Sequence, residues 1–301
     1  MPAERQAGMD HPHYPWSPLP VRPALRWPDG ARLAIGVIVV LEHVEWQPQE
    51  GTYQSLTVGM PDFPSIAQSS LREYGHRVGI FRLLDLLEGH RLKPTIAMDQ
   101  TTAEHYPFLA EHITKRGHEV IAHGVARTQM VTSNMTKAKE REYIRASIAS
   151  VECATGHRPT GWFGPDYGES ERTPQLLAAE GITYVCDWPN DEQPYRMTTP
   201  SGELYSLPPS YDLDDHVALM ERGLPIGAYA DLLRYAADQL HEDGAQSGRL
   251  MLPVLRPWLI GQPFRASHLD EALGHVMGMP GVWAAYGSEI ISWYRDHSAS
   301  A

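Results

Sequence analysis

Short apolar runs alternate with amphipathic segments from one end of this chain to the other, and that alternation restricts the fold more than any other feature. The runs cover residues 34–41, 94–98, 119–122, 160–163, 183–186, 204–207, 249–255 and 282–285. Each has the length of a strand, and most are apolar on both faces, as central parallel strands are. Between them lie helical patterns. The first is the stripe Val78, Ile80, Phe81, Leu83, Leu84, Leu86 and Leu87, stopped by Gly89. Further helices are expected at 104–116, 137–154 (with Thr132, Ser133 and Asn134 as caps), 171–180, 228–241, 268–277 and 288–294. Strand and helix alternate about seven times with no linker between. The expectation is an α/β fold, a single distorted (β/α)7 barrel over residues 31–301, preceded by a Pro-rich extended arm, residues 1–30. A doubly wound open sheet is the alternative. No G-x-G-x-x-G follows the first strand and no Walker loop occurs, so a nucleotide site is not supported.

On a barrel the carboxyl ends of the strands open on one face, where chemistry is placed. The segment Gly117-His118-Glu119-Val120-Ile121-Ala122-His123-Gly124 shows the pattern. A buried strand ends in a histidine, followed by a glycine that permits a sharp turn. Collected from all strand ends, the polar residues are Glu42, His43, Asp99, His123, Trp162, Asp187, Asn190, Asp191 and Arg256. No Gly-x-Ser-x-Gly elbow is present and no Cys–His arrangement is suggested, which disfavours serine or cysteine nucleophiles. Water activated by a carboxylate or a metal fits the inventory better. Polar loops at strand ends are the structural alternative.

Composition removes several classes of function. The formal net charge of −12 argues against a nucleic-acid or anionic-membrane surface. The longest apolar run, 33–41, is too short to span a bilayer. Residues 1–20 lack the apolar core of a secretory signal. Cys153 and Cys186 form no motif, so a reducing cytoplasm is expected. The aperiodic stretch 47–70 is expected to be a long loop covering a site.

Several of these segments together resemble the NodB-homology polysaccharide deacetylase superfamily, most nearly its allantoinase-like and cyclic-imide-hydrolase-like branch. They are the strand ending in Glu42, Gly117–Gly124, Gly161-Trp162-Phe163-Gly164-Pro165, the run from Tyr184 to Tyr195, and the run from Pro257 to Arg265. The resemblance covers residues 30–296 and implies a distorted (β/α)7 barrel that hydrolyses C–N bonds of amides. The metal-dependent members carry paired aspartates after the first strand; here stand Glu42 and His43. They carry a second histidine four residues after the first; here that position is Arg127, which cannot lose a proton to bind a metal. They carry a histidine before Pro257; here it is Arg256.

The resulting expectation is a hydrolase that opens a small cyclic amide or imide. Glu42, His123 and Arg256 are its catalytic candidates, and Trp162, Asp187, Asn190, Gln262 and Arg77 its substrate-binding candidates. Glu42 would be the base for a water, and Arg256 would stabilise an oxyanion or hold a carboxylate. No cofactor is firmly implied; a weakly bound divalent metal such as zinc would fall to His43 and His123. The partners expected are a small-molecule substrate and further copies of the chain, with no nucleic acid or membrane. A non-catalytic ligand-binding relative and a carbohydrate N-deacetylase are the alternatives.

Overall fold

The fold is taken from a computed structural model that describes residues 10–46 and 66–298. Its sheet follows from the apolar runs. The first run is realised as two pieces, β1 (Leu33–Ile35) and β2 (Val37–Leu41), broken at Gly36. The strands β3 (Pro94–Met98), β4 (Glu119–Ala122), β5 (Gly161–Trp162) and β6 (Tyr184–Val185) come next. Beyond them lie β7 (Tyr195–Arg196) and β8 (Tyr205–Ser206). The chain then forms β9 (Arg249–Met251), β10 (Val254–Leu255) and β11 (Val282–Ala284). The run 249–255 is also split, at Leu252 and Pro253, because proline has no N–H to give to a ladder. Eight strands form one curled sheet in the order β10-β2-β3-β4-β5-β6-β8-β7, and β11-β1-β9 form a second. Every pairing is parallel except β7 with β8. That short antiparallel strand β7 had no apolar run to announce it. With helices packed on its outer face, this is the α/β barrel type expected from the sequence.

Side-chain alternation sorts the core into layers. Val37, Val39 and Leu41 face the helices, packed with Leu83, Leu84 and Leu87. Ile38 and Val40 face inward with Ala97, Ile121, Phe163, Cys186 and Val254. Residues that extend the inward rows past the strand ends therefore meet over the barrel mouth.

Two helix expectations need correction. The segment 104–116 is two helices, α3 (Gln100–His105) and α4 (Pro107–Lys115), because proline cannot continue a helix through Tyr106. The cap of α5 (Lys137–Thr155) is Thr136, whose hydroxyl accepts the Lys139 N–H at 3.3 Å, and not the 132–134 cluster. Residues 66–70 of the expected long loop belong to α1 (Ile66–Tyr74), while 47–65 lie outside the described residues. After α1 the chain makes one π turn, Gly75–Gly79, and continues as α2 (Ile80–Gly89). The outer layer is completed by α6 (Thr173–Ala179), α7 (Ile226–Asp243), α8 (Pro263–Gly278) and α9 (Gly287–Ser298).

The two edges of the curled sheet, β7 and β10, do not pair with each other. Residues of the N-terminal segment run between the end of β7 and the start of β9, the strand that precedes β10 in the same apolar run. The Thr198 N–H donates to the His13 carbonyl at 2.7 Å on one side. On the other, the Gly248 N–H donates to the Leu25 carbonyl at 2.9 Å, and the Trp27 indole to the Arg249 carbonyl at 2.7 Å. Trp27 is 1% exposed, so the end of this segment is part of the core. Among the described residues no helix is long and apolar enough to cross a membrane.

Candidate active site

Glu42 lies two residues beyond Val40 and keeps its inward parity, as His123 does after Ile121 and Arg256 after Val254. The three side chains meet. Glu42 Oε1 accepts a hydrogen bond from Arg127 Nη1 at 2.7 Å. Arg72 Nη1 lies 3.6 Å and Arg256 Nε 3.8 Å from the same oxygen. The other oxygen, Oε2, is 3.7 Å from His123 Nε2, and neither of those two buried atoms has a hydrogen-bond partner.

Burial alone would raise the pKa of Glu42. The charges of Arg127, Arg256 and Arg72 overcome it and hold the carboxyl well below its usual range. Glu42 is therefore a fixed negative charge. His123 is fixed from its other side: its Nδ1 donates to the Phe163 carbonyl at 2.5 Å, and its ring stacks on Phe163 at 5.2 Å. Nδ1 then carries the hydrogen and Nε2 offers a lone pair towards Glu42. Gly124 makes the turn after His123, with φ of 69°, where a β-carbon would lie 2.2 Å from the Tyr143 hydroxyl.

Arg256 is less free than the sequence suggested. Its Nη1 donates to Asp214 Oδ1 at 2.5 Å and Asp215 Oδ1 at 3.1 Å, and its backbone N–H to Asp215 Oδ2 at 2.7 Å. Only its Nε, which is unpartnered, faces Glu42. Burial pushes Asp215 up to about 7, against the pull of Arg256. Beside it, burial and then Arg256 lower His216 to about 2, so that imidazole is neutral.

Arg72, Asp214 and Asp215 had not been singled out. Arg72 comes from a helix instead of a strand end, and the Asp214-Asp215-His216 run stands between elements with no apolar stretch leading into it. Arg72 reaches the site because the helix carrying it lies against the 257–258 turn. A β-carbon on Gly79 would sit 2.1 Å from the Pro257 carbonyl oxygen, so glycine is what allows that approach.

Other candidates land elsewhere. Arg77 is exposed; the same helix turns Arg72 inward. Trp162 is fully buried among Ile144, Ile148, Leu176 and Leu177 on the helix side of the sheet, so alternation gives the inward place to Phe163. The Asn190 carboxamide binds the hydroxyls of Tyr14 and Tyr195, each at 2.8 Å. It lines a cavity of about 350 Å³ under the N-terminal segment, with Arg22 and Asp191. Gln262 caps the start of α8, and its amide reaches the Trp258 carbonyl at 3.4 Å. Asp187 accepts the Gly164 N–H at 2.7 Å.

The donor set does not fit the metal of the deacetylases. Arg127 occupies one oxygen of Glu42, and three guanidinium groups around a carboxylate repel a divalent cation. His43 follows Glu42 with opposite parity, and its ring lies against His105 and Tyr106. Among the described residues no group of three His, Cys, Asp or Glu side chains could hold an ion.

Comparison with known proteins shows what the chain resembles. Residues 73–185 match the polysaccharide deacetylase family model. The whole fold superposes on the Puue allantoinase with a TM-score of 0.81, at 25% identity over 91% of this chain and 94% of that one. A Pseudomonas aeruginosa PAO1 protein, described as a probable polysaccharide deacetylase, gives 0.81 at 26% identity over 92% and 95%. A Schizosaccharomyces pombe protein provisionally named a polysaccharide deacetylase is 23% identical over 91% of this chain and 94% of its own.

Proposed function

We propose that the chain hydrolyses non-peptide C–N bonds, opening a small cyclic amide or imide that is anionic or becomes so as it reacts. One observation carries this reading: two unpartnered acceptors, Glu42 Oε2 and His123 Nε2, face each other 3.7 Å apart inside a ring of arginines. Two acceptors at that distance call for a donor between them, and a water can give one hydrogen to each. Its oxygen lone pair is then free to attack a carbonyl carbon.

Glu42 is too firmly ionised to be a strong base, so in this reading it orients the water and His123 Nε2 takes the proton. As the O–C bond forms, the carbonyl becomes an oxyanion, and the guanidinium of Arg72 and the Nε of Arg256 are the nearest cations for it. The His123 proton then passes to the ring nitrogen as the C–N bond breaks, leaving an N–H group and a carboxylic acid that loses its remaining proton to solvent.

Arginine in place of a metal also favours a substrate with its own negative charge. The 2.7 Å bond from Arg127 to Glu42 supports the second reading, a non-catalytic binder of small anions. A hydrolysis screen over hydantoins, cyclic imides, their carboxylated derivatives and N-acetylated sugars separates the two. Turnover of a cyclic amide that falls roughly 10²–10⁴-fold in Glu42→Gln supports catalysis. Binding of the same compounds without turnover supports the alternative.

A further inference from the structure

Behind His123 the hydrogen bonds continue through one peptide group. The Phe163 carbonyl accepts from His123 Nδ1 at 2.5 Å, and the N–H of that same peptide, on Gly164, donates to Asp187 Oδ1 at 2.7 Å. In a trans peptide the C=O and N–H point in opposite directions along one dipole. A carboxylate on the N–H side draws that dipole into line and makes the carbonyl oxygen a stronger acceptor.

Asp187 lies beside a second carboxyl, Glu169, with the Trp162 and Trp188 indoles next to the pair. Asp187 Oδ2, both Glu169 carboxyl oxygens and both indole nitrogens are buried without a hydrogen-bond partner. Two ionised carboxylates could not stay together there, and one proton shared between them removes the repulsion. Burial, then the charge of Asp187, push Glu169 well above its usual range, so it is the one that keeps the proton. Burial raises Asp187 as well, to about 7, while Glu169 and the Gly164 N–H resist the rise.

We propose that Asp187 is a positioning residue for His123, acting through the 163–164 peptide: its carboxylate, kept ionised by a protonated Glu169, holds His123 as the Nδ1–H tautomer with Nε2 bare towards Glu42. This deepens the hydrolase reading and rests on it for its catalytic consequence. The arrangement does the work of a carboxylate bonded directly to a histidine, with a backbone amide inserted between them. It gives Asp187 a place in the reaction although it touches neither His123 nor the water. It also explains why a glutamate is kept buried beside it.

The test reads the imidazole directly and needs no turnover. Nitrogen-15 NMR of the full chain with labelled histidine reports which nitrogen of His123 carries hydrogen, and how strongly that hydrogen is bonded. Wild type should show a protonated Nδ1 with a downfield proton and a bare Nε2. Asp187→Asn keeps the shape and can still accept the Gly164 N–H, but it loses the charge; the Nδ1 proton should move upfield and the Nε2–H tautomer should appear. Glu169→Gln can still donate to Asp187 and should leave both signals in place. Where a substrate turns over, Asp187→Asn should lower kcat roughly 10–100-fold with KM little changed, and Glu169→Gln should stay near wild type. An Nε2–H tautomer in wild type overturns the proposal even if Asp187→Asn fails to fold. So does an unmoved His123 in Asp187→Asn, or a Glu169→Gln spectrum that matches it. A clear spectral result with no substrate turned over leaves the relay standing and counts against the hydrolase reading alone.

Discussion

Replacing Glu42 by glutamine should destabilise the protein as well as impair the site. Glu42 is 4% exposed and is the shared counter-charge of Arg127, Arg72 and Arg256. Arg256 retains Asp214 and Asp215, but Arg127 and Arg72 have no other salt-bridge partner among the described residues. Removing one member of a buried pair costs about 3–5 kcal/mol, chiefly because the other charge is left uncompensated. At about 2 °C per kcal/mol for a chain of this size, Tm should fall by roughly 6–10 °C. The pH dependence follows from the lowered pKa of Glu42. A carboxyl that ionises more easily in the folded state contributes fully above its unfolded value, about 4.3, and loses that contribution as pH falls through the folded one. The gap between wild type and Glu42→Gln should therefore be constant from pH 8 to about 5 and close only below that range. Urea unfolding followed by tryptophan fluorescence measures it. Adding Arg127→Met to Glu42→Gln should restore about 0.5–3 kcal/mol, because the stranded cation is gone. A Glu42→Gln protein as stable as wild type at pH 7, or a double variant no better than the single, would refute the view of Glu42 as the buried hub of these charges.

Arg256→His should cost about 3–5 kcal/mol in urea unfolding, since it strips Asp214 and Asp215 of their cation; equal stability would show that the pair is neutral in the wild type. His76 and His216, whose pKa values burial lowers to about 4 and about 2, stay neutral in the fold while the unfolded chain takes up protons below about 6.5. These two groups pull stability down as pH falls from 6.5 towards 5, while Asp187 and Asp215, raised to about 7, pull it up. Stability relative to wild type should therefore rise in His216→Asn as pH falls over this range, and identical slopes would remove His216 from the account. Thr136→Ala should lose about 1 kcal/mol through the cap of α5, seen as a Tm about 2 °C lower. Zinc added at micromolar concentration should leave Tm unchanged, and stoichiometric zinc surviving dialysis against a chelator would contradict the donor-set argument.

The parts of the site that were legible share one property: each follows directly on a buried apolar run. Glu42, His123 and Arg256 continue inward-facing rows, so strand periodicity alone places them together. The same rule, applied one residue further, sends His43 to the opposite face and Trp162 to the helix layer. Asn190 was out of reach because its partner Tyr14 lies 176 residues away in a segment with no periodicity. Arg72 was hidden by a π turn, Gly75–Gly79, since an ideal 3.6-residue period does not hold through it. The split of the 104–116 segment could have been read from Pro107 itself.

The seam between β7 and β9 bears on the order in which the molecule assembles. Trp27 meets its acceptor on Arg249 across 222 residues of chain, a separation like that of the neighbouring β1–β9 pairing, so the seam closes with the long-range pairings and after the local ones. Amide hydrogens along the seam, at Gly248 and Thr198, should exchange ahead of those between β2 and β3. Glu192 and Gln193 also cross the seam, to the Leu250 N–H and the Gly248 carbonyl, so loss of the N-terminal segment would leave the barrel joined there while exposing the backbone groups of Gly248, Arg249 and Thr198 to pairing with a second molecule.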